Sequence, residues 1–236
     1  MTLLRSTLFN LYFFTMTFVL TLVLATPTRF LAPHRVLDVA RLWARLLLSG
    51  VRLICGIRLS VTGLERVGAG PCVIASAHQS AFDTFVWLAL LPRCCYVLKK
   101  ELLRIPLFGP LLPLAGMIAV DRHGGASAMR HLLRDGDRAV REDRQIVIFP
   151  EGTRAAPGER LPLQPGVAAL ATRTRLPVIP VVTDSGRYWG RRAFQKRPGT
   201  INIRLLEPLS PEAGRDRLMS GLEQALRGGA VENSVG

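Results

Sequence analysis

The chain has 236 residues, 49% of them apolar, and a formal net charge of +14; only Lys99, Lys100 and Lys196 among its 31 basic residues are lysines, so the charge is almost wholly arginine. That length allows one domain with an appendage. The charge suits an anionic lipid surface or a phosphorylated substrate, and the lack of any recognised nucleic-acid motif beside a membrane-length opening segment argues against nucleic acid.

From Ser6 to Thr28 there is no charged residue. About twenty helical residues span roughly 30 Å, the thickness of a bilayer's hydrocarbon core. Arg5 alone makes a thin basic start and "LATPT" a loose cleavage site, so an uncleaved anchor is expected over a signal peptide. Composition leaves open whether it crosses the membrane or lies in it. Beyond Pro27 and Pro33, "VLDVARLWARLLLSGVRLICGI" predicts a helix in which Asp38, Arg41, Arg45, Ser49 and Arg52 fall within roughly 80° of one another. A wide apolar face with an arginine stripe is the pattern of an interfacial membrane helix.

From Leu59 onward the text alternates. The runs "CVIAS", "CCYVL", "MIAV", "QIVIF", "VIPVV" and "INIRLL" read as strands, several too apolar to be half-exposed. Between them the spacing predicts helices over Ala81 to Leu91, Ser127 to Arg141, Gly166 to Arg175 and Arg215 to Arg227. This alternation argues for an α/β sheet flanked by helices. The expected organisation is an N-terminal membrane-associating region over residues 1–58, an α/β domain over 59–228 and a flexible tail over 229–236. The four cysteines, Cys55, Cys72, Cys94 and Cys95, have no CxxC spacing, so neither a zinc site nor a disulfide framework is expected, and a reducing cytoplasm is.

In "VIASAHQSAFDTF" (residues 73–85) His78 follows an apolar run and Asp83 stands five positions on. Ser80 reads as a helix N-cap with Asp83 completing a capping-box pattern, which accounts for Asp83 but not for His78. His78 lies at the C-terminal end of a strand, where α/β folds place their sites. An aspartate in the next helical turn can hold one imidazole nitrogen and leave the other as a base. Farther on, "IVIFPEGTR" runs from a strand into Glu151, Gly152, Thr153 and Arg154. Gly152 permits close backbone approach, Thr153 offers a hydroxyl, and Arg154 can grip phosphate with two prongs. Glu151 would repel a phosphate, and makes sense if it orients Arg154 or a substrate hydroxyl. Lys99 and Arg122 also follow strands. His34, His123 and His131 are expected on the surface. No HExxH, Walker, GxGxxG or GxSxG pattern occurs, so Ser76 and Ser80 have no nucleophile context.

Together these motifs resemble the glycerolipid acyltransferase family. "HQSAFD" looks like its H-x4-D block, "GMIAVDR" resembles the second block, "FPEGTR" is the third without a substitution, and "VIPVV" resembles the fourth. Ala77 stands where the family often has Asn, and Gln164 where a lysine is common. The resemblance implies a mixed, largely parallel sheet, with His78 and Asp83 catalytic and Glu151, Gly152, Thr153, Arg154, Lys99 and Arg122 binding substrate, without metal or cofactor. It implies transfer of a fatty acyl group from acyl-ACP or acyl-CoA to 1-acylglycerol 3-phosphate, as in bacterial members, on the cytoplasmic side of an inner membrane. Other acceptors (a lyso-ornithine lipid, glycerol 3-phosphate), a thioesterase and a non-catalytic membrane-binding module are the competing readings.

Overall fold

The structure, a computed structural model, describes residues 1–122 and 124–229. The expectations for His123 and, beyond Gly229, for the tail fall outside the described residues.

The chain opens with helix α1 (Thr2–Leu20), widens into a π-helical turn over Thr21–Ala25 and continues as α2 (Thr26–Leu31). Pro27 accounts for the widening, because it has no N–H for the carbonyl of Val23 and its ring would strike that group in a regular turn. The Thr26 hydroxyl donates to the Thr21 carbonyl at 2.8 Å and covers one of the disturbed acceptors. A 3-10 turn over Pro33–Arg35 leads into α3 (Val36–Cys55), which ends on Gly56 in the left-handed conformation (φ 71°) that glycine adopts without penalty. Helix α3 returns antiparallel along α1, and their contact is polar as well as apolar. Tyr12 donates to the Leu46 carbonyl and the Trp43 indole to the Thr17 hydroxyl, both at 2.9 Å. Asp38, Arg45, Ser49 and Arg52 form an exposed stripe on α3, and Arg41 is half-buried within it. Such a stripe was expected from the spacing.

Among the described residues seven strands follow: β1 (Ile57–Thr62), β2 (Cys72–Ser76), β3 (Cys94–Lys99), β4 (Ile118–Val120), β5 (Gln145–Ile148), β6 (Val178–Thr183) and β7 (Gly199–Leu205). Helix α4 (Asp83–Leu90) joins β2 to β3, the short α5 (Leu111–Leu114) precedes β4, and α6 (Gly125–Arg141) joins β4 to β5. Helices α7 (Gly166–Thr174) and α8 (Ser185–Tyr188) flank β6, and α9 (Arg215–Gly228) closes the described chain. The strand order is β1-β7-β6-β2-β5-β3-β4. Strands β6, β2, β5, β3 and β4 run parallel, β7 is antiparallel to β6, and β1 is parallel to β7. The sheet is thus mixed and largely parallel, flanked by helices. β1 was not among the expected strands, although Ile57, Leu59 and Val61 alternate with Arg58, Ser60 and Thr62 in the period of a strand.

Residues of the parallel strands point alternately into two cores. Ile74, Val147, Ile179 and Val181 pack with α3 and α4, while Val73, Ala75, Ile146, Ile148 and Val178 pack with α6, α7 and α9. Burying each of the valine and isoleucine side chains is worth about 1.5–3 kcal/mol, and strands covered on both faces need the near-continuous apolar text seen here.

Candidate active site

The central ladder brings the two motifs together. Ala75 on β2 is registered with Ile148 on β5, so His78 and Glu151, each three residues further on, leave the sheet at matching positions. On the other side of β5, Tyr96 pairs with Val147, and Lys99 pairs with Val120 on β4. His78, Glu151 and Arg122 therefore lie just past the C-terminal ends of adjacent parallel strands, and Lys99 is the last residue of its strand, where helix-flanked sheets leave a crevice. A further bond closes the arrangement, as the N–H of Ala155 donates to the His78 carbonyl at 2.8 Å.

His78 is 8% exposed and Asp83 1%. The imidazole Nδ1 lies 3.2 Å from Asp83 Oδ2. The same oxygen accepts from the backbone N–H groups of Gln79 and Ser80, each at 2.8 Å. A single atom of Asp83 thus both caps the turn and faces the ring. Because the aspartate spends its oxygen on the preceding turn, α4 starts at Asp83 rather than Ala81, while Ser80 Oγ accepts from the Phe82 N–H at 3.1 Å. A carboxylate can only accept, so Nδ1 carries the proton in this contact, and in the neutral ring Nε2 is the nitrogen that keeps its lone pair.

Two aromatic residues that sequence analysis missed hold this pair. Phe149 stacks on the imidazole, with centroids 4.0 Å apart and planes 18° apart, and Tyr96 lies 6.0 Å beyond Phe149. The Tyr96 hydroxyl donates to the Asp83 carbonyl at 3.1 Å and accepts from the Trp87 N–H at 3.2 Å, fixing the first turn of α4. A signal existed for both, since each is an aromatic residue in an otherwise aliphatic strand run.

His78 opens onto a cavity of about 390 Å³, and its other charged lining residues are Lys99, Arg122 and Arg154. The remaining lining is apolar or aromatic apart from Thr17, Thr21 and Thr84, and it comes largely from α1, the π turn, α3 and the segment before β4. A volume in this range fits a small-molecule or single-chain ligand. Burial lowers the Arg154 guanidinium from its ordinary value and Arg191 adds to the fall, while the Asp83 charge opposes it. Glu151 faces elsewhere, into a second cavity of about 310 Å³ that it shares with Ala77, Gln79 and Arg160. Burial pushes its carboxyl up to about 7, opposed by its own backbone N–H and that of His78 and reinforced by the Asp83 charge. Gly152 (φ 69°) turns the chain between Glu151 and Arg154. Gly152 and Thr153 border neither cavity, and Gln164 packs over Gly152, its Cγ 3.4 Å from where a Cβ would stand. The structure thus brings together His78, Asp83, Lys99, Arg122 and Arg154, and sets Glu151, Gly152 and Thr153 beside them. His34 and His131 are exposed, as expected.

An imidazole backed by a carboxylate, beside an apolar-walled cavity with basic residues, suits proton transfer next to a long apolar group and an anion. Residues 58–184 match the family described as Acyltransferase, and the chain belongs to that family. It is 37% identical over 182 residues to 1-acyl-sn-glycerol-3-phosphate acyltransferase of Pseudomonas aeruginosa, covering 77% of this chain and 71% of that one. It is 35% identical over 162 residues to the beta form of that enzyme from Homo sapiens, covering 67% of this chain and 58% of the human protein. The crystal structure of 1-acyl-sn-glycerophosphate (LPA) acyltransferase, PlsC, from Thermotoga maritima superposes with a TM-score of 0.77 at 20% identity, over 99% of this chain and 100% of that one. At that identity the likeness shows the fold.

Proposed function

We propose that the protein transfers a fatty acyl group from a thioester donor, acyl-ACP or acyl-CoA, to the free hydroxyl of 1-acylglycerol 3-phosphate, giving phosphatidic acid. The observation that carries this reading is the shared cavity: His78 and Arg154 line one apolar-walled space, with Lys99 and Arg122 around it. Arg154, Lys99 and Arg122 would hold the phosphate, setting the acceptor hydroxyl beside Nε2, a positioning effect that supplies much of the rate in reactions between two bound substrates. Nε2 takes the hydroxyl proton as the oxygen attacks the thioester carbonyl. The carbon–sulfur bond breaks, the thiolate leaves, and the proton on Nε2 passes to it. Asp83 keeps the ring in the useful tautomer and stabilises the imidazolium formed in between. Glu151 and Gly152 would keep the third motif in register under His78, and Thr153, which borders neither cavity, is left without a substrate contact.

Substrate and product are both lipids, which gives the N-terminal region its role. The helix Thr2–Leu31 is long and apolar enough to cross a membrane, and it exposes Leu11, Phe14, Phe18 and Leu22. Its first turns are held on the catalytic domain, however: the Lys196 N–H donates to Ser6 Oγ at 2.9 Å and its ammonium donates to Asn10 Oδ1. A helix tied down at Ser6 and Asn10 lies along the leaflet rather than through it, with the α3 arginine stripe at anionic head groups on the cytoplasmic side of the inner membrane. The test of the reaction is His78→Ala. Loss of phosphatidic acid formation from labelled lysophosphatidic acid and either donor is expected, and near-wild-type transfer by the folded variant refutes the mechanism. Competition with a lyso-ornithine lipid and glycerol 3-phosphate tests the acceptor.

A further inference from the structure

Between β3 and β4 the chain forms a 3-10 turn (Lys100–Arg104), a tight loop and α5. The segment is apolar on both sides. Inward, Phe108, Leu111 and Leu112 line the cavity that His78 opens onto. Outward, Ile105, Leu107 and Leu114 are 42%, 45% and 38% exposed, and Pro106, Pro110 and Pro113 stand exposed among them. The loop is built to a definite shape, since a Cβ on Gly109 would stand 2.1 Å from the Leu103 carbonyl oxygen. Leu107 is held at φ 64°, a left-handed conformation that glycine or asparagine adopts with less strain than leucine. At such a site folding favours Gly or Asn, and water favours a polar side chain. An exposed leucine there serves neither, and strain kept at a surface position points to a task outside folding.

We infer that this segment is a second lipid-contacting element, carried by the catalytic domain, that inserts Ile105, Leu107 and Leu114 into an anionic leaflet and opens the cavity within the bilayer surface. Three observations favour a bilayer over other occupants. The segment is continuous with the N-terminal helices, because α5 packs on α3 and both wall the same cavity. Its rim is basic: Arg104 and Arg122 are exposed beside it, at the height where lipid phosphates would sit. An acidic carrier protein is the less suitable partner, because the carboxylates of Glu101 and Asp121, 3.4 Å from Lys99 and 3.6 Å from Lys100, would face it among the exposed apolar side chains. The inference rests on the lipid acceptor proposed above.

The full-length protein would be tested on vesicles of phosphatidylglycerol and phosphatidylcholine with brominated acyl chains. Because the N-terminal helices hold any variant on the vesicle, the readouts are insertion depth and surface kinetics rather than binding alone. In a Leu107→Trp variant the added indole, read as the difference from the wild-type emission, is expected to be quenched by bromines near the head-group boundary. Leu107→Asn, which suits the left-handed backbone, is expected to unfold at the same temperature or higher. Its KM for vesicle-embedded acceptor should rise about tenfold, the partition change for losing one buried leucine, while kcat on a short-chain, water-dispersed acceptor holds. An unquenched indole in the Leu107→Trp variant, or an unchanged vesicle KM for Leu107→Asn, overturns the inference. So does a raised KM for acyl-ACP alone, which would make the segment a carrier dock. Transfer to the short-chain acceptor is read separately, so loss of this inference leaves the reaction standing, and absence of transfer in the wild type tells against the reaction and not against the quenching.

Discussion

Glu151→Gln isolates the energetic consequence of burying a carboxyl beneath the catalytic turn. Glutamine keeps the shape and an acceptor oxygen for the backbone N–H groups but cannot ionise. The wild-type carboxyl is pushed from 4.5 up to about 7 by burial and by the charge of Asp83. A carboxyl raised in this way binds its proton more tightly in the folded state. Its contribution to stability is therefore complete below pH 4.5 and lost as pH climbs through 7. At about 1.36 kcal/mol per pH unit, the interval amounts to about 3 kcal/mol. Wild type should accordingly lose about 3 kcal/mol relative to Glu151→Gln between pH 4.5 and pH 8, about 6 to 12 °C in Tm for a chain of this size. Thermal unfolding of both proteins in one detergent at half-unit pH steps measures it. Parallel Tm curves over that range would mean that Glu151 titrates like an exposed acid, and the argument that it sits buried under His78 would fail.

Asp83→Asn removes the charge from the oxygen that faces His78 Nδ1 while leaving a group that can still accept from Gln79 and Ser80. A fall in kcat of about 10²–10⁴ is expected, with a much smaller change in KM for the acceptor, read from initial rates over a pH series. Lys196→Met tests the fastening of the first helix. The ammonium donates to Asn10 and, at 2.9 Å, to the Phe194 carbonyl, and lies 4.8 Å from the Trp189 ring centre. Leaving those acceptors unpartnered costs about 1–3 kcal/mol. Faster limited proteolysis after α1, at an undiminished rate elsewhere, is the expected sign.

Much of the architecture was legible because parallel strands buried on both faces leave solid apolar text: "CVIAS" and "VIPVV" mark β2 and β6 to within a residue. The amphipathic stripe of α3 was legible from the regular spacing of its arginines. β1 was overlooked although its alternation is regular, because it sits at the sheet edge next to a much louder apolar stretch. At the site, the spacing of His78 and Asp83 allowed them to pair, since five positions is the distance from a strand end to the first turn of the next helix, but it fitted a capping role for Asp83 equally, and the oxygen serves both. The distribution of the third motif between two cavities was not legible. Which way Glu151 and Arg154 point depends on the left-handed turn at Gly152 and on Gln164 lying over it, neither of which has a period in the sequence. The aromatic clamp of Phe149 and Tyr96 depends on neighbouring strands that are distant in sequence, β2, β5 and β3, coming side by side.

The order of the strands divides labour across the sheet. The reacting pair springs from β2, flanked on both sides by fully buried neighbours, whereas Lys99, Arg122 and the apolar segment Lys100–Leu114 hang from β3 and the three-residue border strand β4. Insertions or exchanges at that border can reshape what is recognised without shifting the centre of the ladder. A lineage built on this scaffold can therefore diversify its preferences at the rim while the proton-transfer apparatus stays where it is.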